Sequence, residues 1–214
     1  PECYDCPGGK SRNLNQTECE PCDRGKQSKG GEPSCEECLR GRYRKEEGWA
    51  FCNVANAGYF VNLKGQTKQE PCAPGEFSSG SSNSECRACD PGKYDCRLEA
   101  NCDNYAKKAP RENEFGLAEC KPADKGYYVK GFNASAQLEC EAGTYASNTG
   151  TSECLKAAAG SYVDNTGATK PKNCPAGRYS NTTGAITCTD CEEGKYAKDA
   201  GSTTCIRAEA GYCA

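Results

Sequence analysis

The stretch that decides the fold of this chain is residues 174–191, which read CPAGRYSNTTGAITCTDC. A glycine stands three residues after the first cysteine, and an aromatic residue stands two residues after that glycine. The same pattern returns 17 residues later from Cys191, with Gly194, Tyr196 and Cys205. Repetition at a short fixed period is typical of arrays in which each unit contacts mainly its neighbours.

The 17-residue phase extends from Cys38 to Ala208, and Cys6 and Cys22 continue the series before it with a spacing of 16 residues. We call the first residue of each repeat the opener. A glycine stands three residues after the opener in every repeat except that of Ala106, which has Ala109, and an aromatic stands five residues after it in nine repeats. The openers are Cys6, Cys22, Cys38, Ala55, Cys72, Cys89, Ala106, Ala123, Cys140, Ala157, Cys174, Cys191 and Ala208.

Each repeat is predicted to be one β-hairpin. The glycine permits a positive φ, a short extended stretch follows, and a turn such as Asn165-Thr166-Gly167 leads into a returning strand. The sequence thus predicts a small disulfide-rich fold, a tandem array of 17-residue disulfide-stapled β-hairpin modules forming an elongated rod with little hydrophobic core. We divide it into tandem modules over 1–105, an irregular module over 106–122, and tandem modules over 123–214, the last incomplete.

The composition agrees with a scaffold held by cross-links. Leu, Ile, Val and Phe together number 18 of 214 residues, while cysteine alone numbers 20. So few large apolar residues cannot build an ordinary core, and such a cysteine content is typical of secreted disulfide scaffolds. We therefore expect an extracellular location, secreted or at the cell surface. The net charge of −3 offers no basic surface for nucleic acid, and no apolar run is long enough to cross a membrane.

The cysteine pairing is predicted from the modules that lack cysteine at both the opening and the closing position. Where the opener is Ala55 the closing position holds Gln69, and Ala123 is matched in the same way by Gln137; losing both ends together is expected if opener and closer form one bond. Ala157 with Pro171 is the third case. The predicted bonds are Cys6–Cys19, Cys22–Cys35, Cys38–Cys52, Cys72–Cys86, Cys89–Cys102, Cys140–Cys154, Cys174–Cys188 and Cys191–Cys205, with Cys96–Cys120 for the irregular module.

The C-x-x-C pairs have a zinc or redox interpretation that we weigh against structural disulfides. A metal or redox pair would lose both cysteines at once, yet Cys52 stands opposite Ala55 and Cys154 opposite Ala157. Each pair is therefore predicted to be the junction between two modules. Cys3 and Cys213 have no partner in the phase, so we expect neighbouring repeats, in the same polypeptide or in another copy, to continue the array.

Two further features have more than one interpretation. The aromatic at fixed phase is either a small local core residue that covers the disulfide or the next module, or part of an exposed ladder that binds a ligand. Sequons at Asn15, Asn133 and Asn181 predict glycosylation near the turns. The chain has no histidine, which removes catalytic triads and most metal sites. We predict no enzyme activity, catalytic residue, metal or cofactor.

The stretch from Cys174 to Ser180, with Cys188 and Cys191, resembles the ephrin-receptor-like cysteine-rich repeat and is similar to the first half of a tumour-necrosis-factor-receptor cysteine-rich module. The resemblance implies thin, elongated arrays with disulfides inside each module.

We predict a structural segment of an extracellular rod, filament or surface coat, because a phase kept without insertions suits regular stacking. Its partners would be copies of itself or flanking repeats, end to end. The alternative is a receptor or adhesin ectodomain that binds a protein or glycan.

Overall fold

The computed structural model describes residues 5–13, 15, 17–97, 102, 106–108 and 115–209. These residues form twenty-four short strands and no helix. Each strand pairs with a single partner in a two-stranded antiparallel sheet. The strands are β1 (Lys10–Arg12), β2 (Cys19–Pro21), β3 (Lys26–Gln27), β4 (Glu36–Glu37), β5 (Arg42–Tyr43), β6 (Asn53–Val54), β7 (Tyr59–Phe60), β8 (Glu70–Pro71), β9 (Glu76–Phe77), β10 (Arg87–Ala88), β11 (Lys93–Tyr94), β12 (Ala106–Lys108), β13 (Phe115–Leu117), β14 (Lys121–Pro122), β15 (Tyr127–Tyr128), β16 (Leu138–Glu139), β17 (Thr144–Tyr145), β18 (Leu155–Lys156), β19 (Ser161–Tyr162), β20 (Lys172–Asn173), β21 (Arg178–Tyr179), β22 (Thr189–Asp190), β23 (Lys195–Tyr196) and β24 (Ile206–Arg207).

The module of Cys174 illustrates how the repeat folds. The carbonyl of Pro175 accepts a hydrogen bond from the N–H of Arg178 at 3.1 Å. Gly177, between them, has φ of +84°, which is the position where a type II turn requires glycine. The strand that follows, β21, pairs with β22 so that Arg178 lies opposite Asp190. The predicted fold class of disulfide-stapled tandem hairpins is confirmed.

The chain divides into two compact units. One contains 1–89 and 95–120, and the other contains 90–94 and 121–214. The repeat architecture is the same in both units, which have the same hydrogen bonds between modules.

Seven disulfides join the openers and closers as predicted. Their Cα–Cα distances lie between 5.6 and 5.8 Å. They are Cys6–Cys19, Cys22–Cys35, Cys38–Cys52, Cys72–Cys86, Cys140–Cys154, Cys174–Cys188 and Cys191–Cys205.

The other two predicted bonds, Cys89–Cys102 and Cys96–Cys120, are wrong. The structure has Cys89–Cys120 and Cys96–Cys102 instead. Strand β11 pairs with β14, directly after Cys120, in the register that β21 and β22 have after Cys188. Cys120 and β14 therefore close the module of Cys89 and not a separate module over 106–122.

The physical reason for the error is the length of the inserted segment. Cys89 and Cys120 are 31 residues apart, whereas Cys174 and Cys188 are 14 apart. The difference of 17 residues equals one repeat, so the phase of every later module is unchanged. The insertion has its own short loop, closed by Cys96–Cys102, and its own hairpin, β12–β13.

Most buried side chains in each unit are small, apart from Tyr59, Tyr94 and Leu117, which are fully buried. Those that recur at fixed positions of the repeat we call the buried column. It consists of most of the openers, for example Ala157, and of the residue six positions after the opener, for example Val163, which is 2% exposed. The aromatic one position earlier is only half-buried in most modules. Tyr145 packs against Ala157, Val163 and Ala168 of the next module, as predicted for a residue that covers its neighbour. The buried residues six positions after the opener are Ser28, Arg44, Val61, Ser78, Asp95, Val129, Ala146, Val163, Ser180 and Ala197.

Candidate functional site: the contact between modules

Most successive modules are joined by three backbone hydrogen bonds. Between the modules of Cys140 and Ala157, Gly143 N–H donates to Val163 O at 2.8 Å and Ala146 N–H donates to Ala168 O at 3.1 Å. In the opposite direction, Gly167 N–H donates to Cys140 O at 2.9 Å. We call this set the ladder. The polar groups of one module's backbone are therefore satisfied by the next module.

The ladder has the same form in the other unit. Between the modules of Cys38 and Ala55, Gly41 N–H donates to Val61 O, Arg44 N–H to Gln66 O, and Gly65 N–H to Cys38 O, at 2.8 to 3.0 Å. Because these bonds involve only the backbone, they restrict the sequence at the glycine donors, which have positive φ, and leave the other positions of a module free to vary.

In most modules the glycine three residues after the opener also contacts the module two places further along. A Cβ built on Gly143, where φ is +86°, would overlap the backbone carbonyl of Gly184. Only glycine permits both the positive φ and this approach. Within each unit, stacking therefore extends in most modules to the next two successors, and the fixed phase of the sequence is a consequence of this.

The junction after the module of Cys72 uses side chains in place of the backbone. Asp95 Oδ2 accepts from Gly75 N–H at 3.1 Å, where other modules offer a carbonyl. Arg97 Nη1 donates to Cys72 O at 3.0 Å, where other modules offer an N–H. The third bond of the ladder is kept by the insertion, because Ser78 N–H donates to the carbonyl of Leu117 in β13 at 3.1 Å.

Asp95 and Arg97 form a closed ion pair at this junction. The Nη2 to Oδ2 distance is 2.6 Å, and the two side chains are only 5% and 16% exposed. Burial raises the pKa of Asp95, but the hydrogen bonds from Arg97 and from Gly75 N–H outweigh it, so the pKa lies below its ordinary value of 3.8. The ion pair is therefore intact at neutral pH.

Two modules without a disulfide are closed by glutamine. Gln69 Oε1 accepts from Asn56 N–H at 2.8 Å, and Gln137 Oε1 accepts from Asp124 N–H at 2.7 Å. In both cases the side chain at the closing position reaches the residue after the opener. Gln137 Nε2 also donates to Asp124 Oδ2 at 2.8 Å, and this hydrogen bond lowers the pKa of Asp124.

The predicted site residues have the following positions. The eighteen described cysteines are all in disulfides, whereas Cys3 and Cys213 lie outside the described residues. The sequon side chains Asn15, Asn133 and Asn181 are exposed, so glycosylation stays a prediction. Within the described ranges no cluster of three metal-ligating side chains occurs, and no helix there is long and apolar enough to cross a bilayer.

Sequence reasoning did not identify Asp95, Arg97 or the buried column as structural residues. The column has a signal in the sequence, since Ser, Ala and Val recur six residues after the opener. The ion pair also has a signal in the sequence, because Asp95 is an acidic residue at a position where most modules have a small residue.

The architecture defines a class of protein: a tandem array of disulfide-stapled hairpin modules joined by a backbone ladder. Comparison with protein-family models gives no match, and comparison with curated proteins gives none.

Proposed function

We propose that this chain is a structural segment of an extracellular assembly, a rod, filament or surface coat built from tandem cysteine-rich repeats, and that it does not catalyse. The observation that carries the proposal is the ladder. In most modules the same three backbone hydrogen-bonding groups face the successor, so the contact can be repeated through many modules without a specific side-chain surface.

The disulfides support the location. The nine disulfides of the described residues require an oxidising compartment to form and persist, and secretion would supply one. The resemblance to ephrin-receptor-like repeats is consistent with an extracellular array. The resemblance does not indicate whether the chain binds a ligand, because repeats of this kind occur in both receptors and filaments.

Electron microscopy of the native material tests this function. Gold-conjugated antibodies raised against the chain are expected to decorate filaments or a continuous coat at regular spacing. Isolated labels on a membrane-anchored protein, with no assembly beneath them, would overturn the proposal and favour a receptor.

A receptor or adhesin ectodomain is the second candidate, and one observation favours it. The module of Cys38 exposes three large apolar side chains, Leu39, Trp49 and Phe51, which is the composition of a protein-binding hot spot. Capture of a soluble extracellular protein by the wild-type chain, lost when these three residues are replaced, would support this candidate.

A further inference from the structure

The disulfides determine which parts of the chain tension can lengthen. Each bond holds its two Cα atoms 5.3 to 5.8 Å apart. Because the bond is covalent, a pulling load crosses it and bypasses the loop that it closes. The modules with an opener-to-closer bond are bypassed in this way. Cys89–Cys120 bypasses the module of Cys89 together with its insertion, which contains Cys96–Cys102.

Between one bonded loop and the next, the load-bearing path has stretches of two lengths. The short stretches join bonded modules directly, and their cysteines are 3 positions apart: Cys19 to Cys22, Cys35 to Cys38, Cys86 to Cys89 and Cys188 to Cys191. The long stretches have cysteines 20 positions apart: Cys52 to Cys72, Cys120 to Cys140 and Cys154 to Cys174. Each long stretch contains one module without cysteine. We call these the uncrosslinked modules, and their openers are Ala55, Ala123 and Ala157.

The module of Ala157 shows what holds an uncrosslinked module in place. Its two strands pair over only two residues each. It shares the three ladder bonds described above with the module before it, and three more with the module after it: Gly160 N–H to Ser180 O at 2.7 Å, Val163 N–H to Ala185 O at 2.9 Å and Gly184 N–H to Ala157 O at 2.7 Å. These contacts, and the apolar cluster under Tyr145, are all non-covalent, so tension can break them.

We propose that the three uncrosslinked modules are extension elements, which unfold under tension and refold when the tension falls, while the bonded modules stay closed. The proposal rests on the structural function above and adds a mechanical property to it. Under load the assembly would yield at three defined places in each chain. Further lengthening would then require the breaking of covalent bonds, so the extension has a fixed limit.

The size of the extension follows from the length of the stretches. Twenty residues of fully extended chain span about 70 Å, and a folded hairpin takes up about 10 Å of this at the spacing of stacked sheets. Each uncrosslinked module therefore adds about 60 Å of contour length when it unfolds. A stretch of three residues spans only about 10 Å when extended, so the junctions between bonded modules add almost nothing.

Two features favour recovery after extension. The long stretches contain no cysteine between their ends, so an extended module exposes no thiol that could form a wrong disulfide. The bonded modules on either side stay closed and keep their ladder groups, for example the N–H of Gly143 and the carbonyl of Cys140. Refolding then requires only one hairpin between two existing neighbours, and hairpins form on a timescale of about 1–10 µs.

The experiment is single-molecule force spectroscopy of the full chain, held by peptide tags at its two ends, with any free thiol alkylated and no reductant present. Three double variants add a disulfide to one uncrosslinked module each: Ala55→Cys/Gln69→Cys, Ala123→Cys/Gln137→Cys and Ala157→Cys/Pro171→Cys. Mass spectrometry establishes that each bond has formed before the chain is pulled. The matched control, Ala157→Ser/Pro171→Ser, changes the same two positions without a bond.

The wild-type chain is expected to show three contour-length increments of about 60 Å each, which return in every cycle of stretching and relaxation. Each double-cysteine variant should show two increments, and the chain that combines all three pairs should show none. The serine control should retain three, because a changed side chain at the opener and closer does not shorten the load-bearing path.

Four results would overturn the proposal: a wild-type chain without increments, increments beyond these three, three increments in a variant whose added disulfide has formed, or increments that do not return after relaxation. None of them would remove the decorated filaments expected of the native material. Failure of the extension elements and failure of the structural function can therefore be told apart.

Discussion

Asp95 and Arg97 act where other modules use the main chain. A carboxylate stands in for a carbonyl and a guanidinium for an N–H, and each is bonded to the other as well as to the preceding module. A buried ion pair is tolerated here because both charges have several hydrogen-bonding partners.

Replacing Asp95 by Ala should weaken this junction by about 1–3 kcal/mol, since the buried groups of Arg97 and Gly75 lose their acceptor. Hydrogen exchange of the Gly75 amide is the measurement, because it reports the opening of this junction by itself. Asp190→Ala is the matched control, as Asp190 pairs with Arg178 at 2.6 Å on an exposed hairpin. Equal effects of the two variants on Gly75 exchange would contradict the role of Asp95.

The same junction should lose stability in acid. The folded pKa of Asp95 lies below its ordinary value of 3.8, so its contribution is fully present above that value and is lost as the pH falls through the folded pKa. In urea unfolding, the difference between the wild type and Asp95→Asn should be constant from pH 7 to about pH 5 and shrink below pH 4. A difference that grows in acid would reverse the sign we expect.

The role of the glycine three residues after the opener can be tested by replacing this glycine in two different modules. Gly143→Ala and Gly177→Ala both place a side chain at a φ near +85°, at a cost of about 1–2 kcal/mol. Of these two, Gly143 faces another backbone, at Gly184, whereas none of the described residues has an atom within 4 Å of a Cβ at Gly177. Gly143→Ala should therefore lower the free energy of unfolding by about 1–3 kcal/mol more. Equal losses would show that the approach between alternate modules matters little.

At the scale of the element, a module is a hairpin whose two ends must be held together, and the modules differ in how this is done. Most modules use a disulfide, two use glutamine, and the module of Ala157 uses neither. In that module Pro171 occupies the closing position, and Ala157, Val163 and Ala168 form an apolar cluster under Tyr145.

The glutamine closure should be replaceable by a covalent one. Ala123→Cys/Gln137→Cys places cysteines at an opener and a closer, positions whose Cα atoms lie about 5.7 Å apart in the bonded modules. We expect a new disulfide and a stabilisation of about 3 kcal/mol for a loop of this length. Mass spectrometry after alkylation detects the bond, and urea unfolding measures the gain. Gln137→Ala is the control and should destabilise by about 1 kcal/mol.

For the whole molecule, stability should depend on the disulfides and not on a metal. Reduction should abolish the near-ultraviolet circular dichroism of both units, because the apolar column is too thin to fold the chain without cross-links. A zinc chelator under oxidising conditions should leave the spectrum unchanged, since all eighteen described cysteines are already bonded. Loss of structure on chelation alone would contradict this account.

The phase of the repeat, the hairpins and seven disulfides were predictable from the sequence, because each depends on residues at most 17 apart. The turn at Gly177 and the bond from Cys174 to Cys188 are local, and the same local pattern is repeated often enough to be recognised.

Only the tertiary structure decided the pairing of Cys89 with Cys120. The inserted segment has the length of one repeat, so the sequence continues in phase across it, and the difference lies in which strand returns to β11. The roles of Asp95, Arg97, Gln69 and Gln137 were hidden for a related reason. The ladder is made of backbone groups, whose mark on the sequence is the recurring glycine at donor positions, and a side chain that replaces a backbone group can be recognised only once its partner is in place.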